Sequence, residues 1–281
     1  MGAFFETISE SLIEWTLKQN MFWVSTAPLS GKGHVNVSPK GGKCFGIPDN
    51  KTFWYMDMTG SGNETISHLH EPGNGRITIL FNAFEGPPRI LRFWGKGRVL
   101  EHGSPEFDDI VEKQNINVLP GLRSIIVVDI HQVGTSCGYS VPYYDFKEFR
   151  TTLNDFFERK EKKFLDGNEK ESMDRYWASK NAWSMDGLPG MQRGLKAGRL
   201  YAIEPVKKMV GPLAPKNGVR LSLRDGFQVE HIVIIVLTML LAITLATHPA
   251  FKQHAESRLR DVLVQVRAVP DALPSSVRFR D

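Results

Sequence analysis

Six β-rich runs follow one another through the first half of this chain. They are Phe22 to Ala27, His34 to Pro39, Thr52 to Met58, Arg76 to Phe81, Arg89 to Leu100 and, after a helical stretch over Pro105 to Gln114, Ser124 to Tyr139. Each is dense in aromatic or β-branched residues, and Gly, Pro, Asn or Asp turns separate them. Short strands at this spacing, without a helix after each, point to an antiparallel barrel and not to a parallel α/β sheet. A chain of 281 residues is long enough to bury such a core.

Helical patterns flank the strands. Ser9 to Gln19 reads as a first helix with Ser9 as its cap, and residues 149–182 read as charged, solvated helix. Leu200 to Val206 reads as one more strand, and 211–226 as a linker punctuated by Pro and Gly. Ile232 to Thr247 is apolar all round and carries no charge. At ~1.5 Å per residue it spans about 24 Å, which fits a thin bilayer if Phe227, Val229 and Phe251 extend it. The alternative is a fully buried helix, but a closed barrel leaves no obvious place for one. Lys and Arg lie on both sides of it, so charge does not orient it.

The net charge is +4, from 35 Lys and Arg against 31 Asp and Glu, with no basic block carrying interleaved aromatics. That excludes a nucleic-acid footprint. The two cysteines, Cys44 and Cys137, form no disulfide framework or metal spacing and fit a reducing compartment. The N-terminal residues have acids early and no basic start before an apolar run, unlike a signal peptide.

The stretch from Tyr55 to Leu69 combines a strand end, a Gly60-Ser61-Gly62-Asn63 loop and a short helix stopped by Pro72. Gly60 and Gly62 permit close approach of a ligand, Asn63 is placed to cap the helix, and Ser61, Asn63 and Thr65 carry donors for an anion such as phosphate. The same pattern also serves as a plain capped loop. His68 and His70, two residues apart, do not share a helix face for a metal and read as helix surface. His131 reads as a barrel residue and Cys137 as a small buried one. No metal site and no catalytic triad emerges.

Several segments, in this order, resemble the flavin-binding split-barrel family related to pyridoxamine 5'-phosphate oxidase, and in particular its fungal-type branch. They are Val35 to Gly42, Tyr55 to Leu69, Arg76 to Phe81, Phe84 to Gly97, Ser136 to Pro142 and Ser184 to Gly190. The resemblance spans about residues 8–190. It implies a mainly β protein with α: a six-stranded antiparallel split β-barrel with peripheral helices, followed here by a C-terminal hydrophobic helix. The corresponding plan is an FMN-binding barrel domain over 1–145 and a charged helical extension with a further strand over 146–210. A linker at 211–228, a transmembrane helix at 229–248 and a charged tail at 249–281 complete it.

It further implies a homodimer with FMN in a groove at the interface. One strand, here Val37 to Lys40, would lie along the isoalloxazine, and the Thr59 to Thr65 loop would receive the phosphate. The expected cofactor contacts are Ser38, Lys40, Thr59, Ser61, Asn63, Thr65 and Arg92. Arg92 is included because a guanidinium offers a bidentate fork to oxygens. Lys40 is included because a cation near the ring stabilises the reduced flavin. Where vitamin B6 oxidases carry a basic pair, this chain has Asn63 and Thr65, and their C-terminal substrate motif of Arg and Pro has no match. The function expected is an FMN-dependent oxidoreductase acting on a small molecule, with a cytoplasmic-facing domain and no catalytic side chain required. The alternatives are a membrane-tethered cofactor-binding adaptor, whose cavity would be filled by Trp94, Tyr143 or Tyr144, and an empty structural barrel.

Overall fold

The computed structural model describes residues 2–212, 214 and 237–240. The chain divides into two compact units, Met1–Ser222 and Leu223–Asp281. The expected membrane helix at 229–248 lies outside the described residues except at 237–240, which are helical. Among the described residues no helix is long and apolar enough to cross a membrane.

The first unit is built on one antiparallel sheet. Its strands are β1 (Ala3–Phe5), β2 (Met21–Thr26), β3 (Asn36–Gly41), β4 (Phe45–Asp49), β5 (Thr52–Met58), β6 (Arg76–Asn82), β7 (Ile90–Glu101) and β8 (Leu122–Ser136). They pair in the order β3-β2-β6-β7-β8-β5-β4, and β1 adds to the far half of β8 beyond β5. The sheet therefore has eight strands where six were expected. The two additional strands are short. β1 has three residues, and β4 carries Gly46 and Pro48, which in sequence read as a turn.

Alternation along each strand sends Phe22, Phe53, Tyr55, Phe81 and Phe93 to one face, where Phe45 of β4 joins them. Their ring centroids lie 5.2 to 6.2 Å apart. Phe22 and Phe45 meet at 5.2 Å although β2 and β4 stand near opposite ends of the strand order. The sheet must curl for this to happen, which brings its two edges, β3 and β4, to either side of a split joined by Gly42 to Cys44.

Among the described residues of this unit six α-helices accompany the half-barrel: α1 (Glu10–Leu17), α2 (Glu64–His70), α3 (Pro105–Lys113), α4 (Thr152–Leu165), α5 (Met173–Lys180) and α6 (Gln192–Leu200). Ser104 caps α3 by accepting from the Phe107 N–H at 3.2 Å, and Pro105 supplies its first turn. The α2 helix packs on β7 where Gly97 leaves room, since a Cβ there would meet Leu69 at 2.8 Å. The strand expected over Leu200 to Val206 does not form. Leu200 ends α6, and the following residues run as an irregular arm in which Pro205 has no N–H to offer a ladder.

Candidate functional site

The β3 strand pairs only with β2 and so forms one edge of the split. Its alternation puts Asn36, Ser38 and Lys40 on the more covered side and Val37, Pro39 and Gly41 on the exposed side. Two of these three polar side chains, Asn36 and Lys40, reach other elements. Ser38 donates to Asn36 Oδ1 at 3.2 Å, and Asn36 Nδ2 donates to Thr65 Oγ1 on α2 at 3.0 Å. Lys40 Nζ donates to Asp57 Oδ1 on β5 at 2.9 Å.

Asp57 is fully buried, inward like Phe53 and Tyr55. It also accepts from Arg123 Nε at 2.8 Å and from Ser124 Oγ at 3.3 Å. Burial alone would raise its pKa, but Arg123 and Lys40 outweigh it and hold the carboxyl well below the usual range. Arg123 then donates through Nη1 to the Gly62 carbonyl at 2.7 Å, which ties the cluster to the glycine loop.

That loop is clamped from outside by the turn over 181–190. Asn181 Nδ2 donates to the Gly60 carbonyl at 2.8 Å, Asn63 Nδ2 donates to the Asn181 carbonyl at 2.9 Å, and the Met185 N–H donates to Glu64 at 3.2 Å. Trp177 Nε1 donates to Thr59 Oγ1 at 2.9 Å. The approach is so close that a Cβ on Gly190 would fall 1.8 Å from Asn63 Nδ2. The same turn sends Asp186 to His34, which it holds by the backbone N–H at 2.8 Å and by Nδ1 at 2.6 Å. Finally Lys208, in the arm after α6, donates to Asn63 Oδ1 and stands 3.9 Å from Glu64. Burial, ahead of every other cause, brings its pKa down to about 8.

Along the split runs a groove of about 1660 Å³. Pro39 and Gly41 of β3, Trp23 of β2, Trp54 of β5 and Tyr144 line it, with Lys18, Lys43 and Arg150 also in its wall. Trp94 stacks on Phe4 with ring centroids 6.2 Å apart and does not line the groove; Tyr143 is exposed, and Tyr144 packs edge-on against Phe84 at 5.2 Å.

Of the seven residues expected to hold a cofactor, Ser38, Lys40, Thr59, Ser61, Asn63 and Thr65 gather around β3 and the β5–α2 loop. Arg92 does not join them. It alternates with the buried Leu91 and Phe93, faces the other side of the sheet and donates to Ser136 Oγ at 3.3 Å. Asn63 makes no side-chain capping bond to α2, because its amide is engaged with Ser67, Asn181 and Lys208. Three further corrections follow from burial. His68 is buried with Nδ1 against Thr26 Oγ1 at 2.9 Å, and His70 Nδ1 donates to the Gly190 carbonyl at 3.1 Å, so neither is mere helix surface. Cys137 is exposed and not a small buried residue, whereas His131 is a barrel residue as expected, in β8 and facing solvent. Asp57, Arg123, Asn36 and Lys208 were not anticipated. A lone acid in the apolar run Tyr55-Met56-Asp57-Met58 was a signal that a cation must meet it; nothing in sequence pointed to Lys208.

A search of the curated proteins finds the pyridoxamine 5'-phosphate oxidase family protein ustO of Aspergillus flavus, 37% identical over 203 residues, covering 70% of this chain and 80% of the relative. The chain belongs to the pyridoxamine 5'-phosphate oxidase family. No family model matches it. Among solved structures, HupZ of Group A Streptococcus is 20% identical with a TM-score of 0.35, covering 45% of this chain and 92% of that one. The FAD-binding protein of Mycobacterium smegmatis is 16% identical with a TM-score of 0.32, covering 47% and 97%. The stretches Val35 to Gly42 and Tyr55 to Leu69 meet in the fold at Asn36–Thr65 and Lys40–Asp57.

Proposed function

We propose that this member of the pyridoxamine 5'-phosphate oxidase family binds a flavin, FMN in particular, along β3, and acts as a flavin-dependent oxidoreductase on a small molecule. The observation that carries the reading is the open edge of β3. An edge strand leaves a row of backbone N–H and C=O groups without ladder partners. A planar heterocycle with alternating donors and acceptors along one rim is a natural complement to that row. Ser38 and Lys40 sit on the same strand, and Lys40, placed against a carboxylate it must share with Arg123, carries positive charge to the ring's neighbourhood. Ser61 and Thr65 supply hydroxyls at the loop, whereas the side chains of Thr59 and Asn63 hold the clamp.

The residues present fit such a group: hydroxyls and cations surround the loop, and a wide groove adjoins the strand. Bound flavin supplies hydride exchange. The protein contributes a surface that orients the ring, a cation that favours its reduced form, and apolar walls that exclude water. Trp94 and Tyr143 do not line the groove, and Tyr144 packs in its wall against Phe84 with about 1660 Å³ left beside it, which favours turnover over a plugged binding module. Arg92 shares a face of the sheet with Leu80, Trp23 and Pro39, the last two of which line the groove, and the reading includes the pairing of two copies as a homodimer. The exposed Tyr139, Tyr143, Phe146 and Phe149 offer surface for that pairing.

The test is the absorbance spectrum of the purified protein, with any released cofactor identified by mass. A flavin spectrum with released FMN is expected. A colourless, folded protein that takes up neither FMN nor FAD overturns the reading.

A further inference from the structure

Charge around the Thr59–Thr65 loop is not balanced. Lys40, Arg123 and Lys208 bond to it or to its immediate neighbours, and Lys180 at the end of α5 lies near enough to repel Lys208. Asp57 and Glu64 are the carboxylates these cations meet most closely among the described residues. Asp57 is saturated by Lys40, Arg123 and Ser124, and Glu64 accepts from the Met185 N–H.

Of the three that bond there, Lys208 is the one with no carboxylate within hydrogen-bonding range. Its side chain is only 15% exposed, yet the hydrogen-bond partner it finds among the described residues is one neutral amide oxygen, with Glu64 beyond hydrogen-bonding range at 3.9 Å. An ammonium carries three donors, and a buried cation without an anion is costly. Beside it the loop is open: a Cβ on Gly60 would meet nothing within 4 Å, and Ser61 is exposed. The arm is fixed in place two residues earlier, where the Val206 N–H donates to the Ser179 carbonyl at 2.9 Å.

We propose that Lys208, delivered by the arm that follows α6, completes with Ser61 and Arg123 an anion site for a phosphate monoester, which is the phosphate end of FMN. The inference rests on the flavin reading for the identity of the ester, and on the cation cluster for the site. A dianionic phosphate would take the donors that Asn63 and Glu64 leave unmet.

The experiment compares FMN with riboflavin, which differ only in the phosphate, in binding to the full chain and to Lys208→Gln. The wild type is expected to prefer FMN, and the variant to lose ~10- to 100-fold in FMN affinity, as for one charge-assisted hydrogen bond, with riboflavin affinity unchanged. FMN affinity that is unchanged, or that falls in parallel with riboflavin affinity, overturns the proposal. A second measurement needs no variant: FMN, but not riboflavin, should slow tryptic cleavage at Lys207 and Lys208. Equal or absent protection overturns it. If the wild type binds neither flavin, the flavin reading fails, and inorganic phosphate then tests the site alone. Phosphate should raise the melting temperature of the wild type and not of Lys208→Gln, and no difference between them overturns the site as well.

Discussion

At the scale of single residues, the account depends on two buried charges with opposite histories. Asp57 is stabilised as a carboxylate by two cations. Its folded pKa lies below the unfolded value near 3.9. It therefore contributes stability above that pH, and the contribution is lost as pH falls through the folded value. Asp57→Asn leaves Lys40 and Arg123 without their counter-charge, and should cost roughly 3–5 kcal/mol at neutral pH by denaturant titration. Lys208 is the reverse case. Burial lowers its pKa from 10.5 to about 8, so between these values the unfolded chain binds the proton that the folded one has lost. Stability relative to Lys208→Gln should rise with pH across that window, by on the order of 3 kcal/mol in total. Thermal melts at pH 7.5 and 10 in both proteins check the sign. Cys44, whose thiol burial pushes up to about 11, stays protonated and takes no part. Sequence located Lys40 and missed its partners, because a strand's alternation shows which face a residue takes but not which distant strand supplies the opposing charge.

At the scale of elements, the long strands were legible because five of the six core rings alternate with residues facing the other way along β2, β5, β6 and β7. That ring cluster should be the main source of stability, and Phe53→Ala is expected to cost about 3–5 kcal/mol in chemical denaturation. The short elements were not legible. α2 has seven residues, five of them buried, so no helical period distinguishes a polar face, and His68 could not be seen to be interior. The clamp over 181–190 is joined to α2 by contacts spanning more than a hundred residues, beyond the reach of local pattern. Its fit is tight at Gly190. Gly190→Ala should destabilise by roughly 1–3 kcal/mol through overpacking, and hydrogen exchange should quicken in α2 before it does in the barrel strands.

At the scale of the whole molecule, a curled sheet, a split with open β3, and a groove beside it form one arrangement. The family was legible from the order of its segments, and the grouping of Ser38, Lys40, Ser61 and Thr65 follows from it. Arg92 lies apart from that group because alternation along β7 puts it on the face opposite Leu91 and Phe93, whereas Lys40 pairs with the buried Phe22 on the inner face. A homodimer should appear in light scattering at twice the chain mass of 31.7 kDa, and the mass of a single chain would contradict the pairing.

The central claim is that β3 and the loop it faces receive the flavin. Hydrogen–deuterium exchange on the full chain, with and without saturating FMN, tests it most directly. The account predicts slowed exchange confined to Asn36–Gly41, residues 59–65 and the arm around Lys208. Protection elsewhere, with those three segments unchanged, would contradict it.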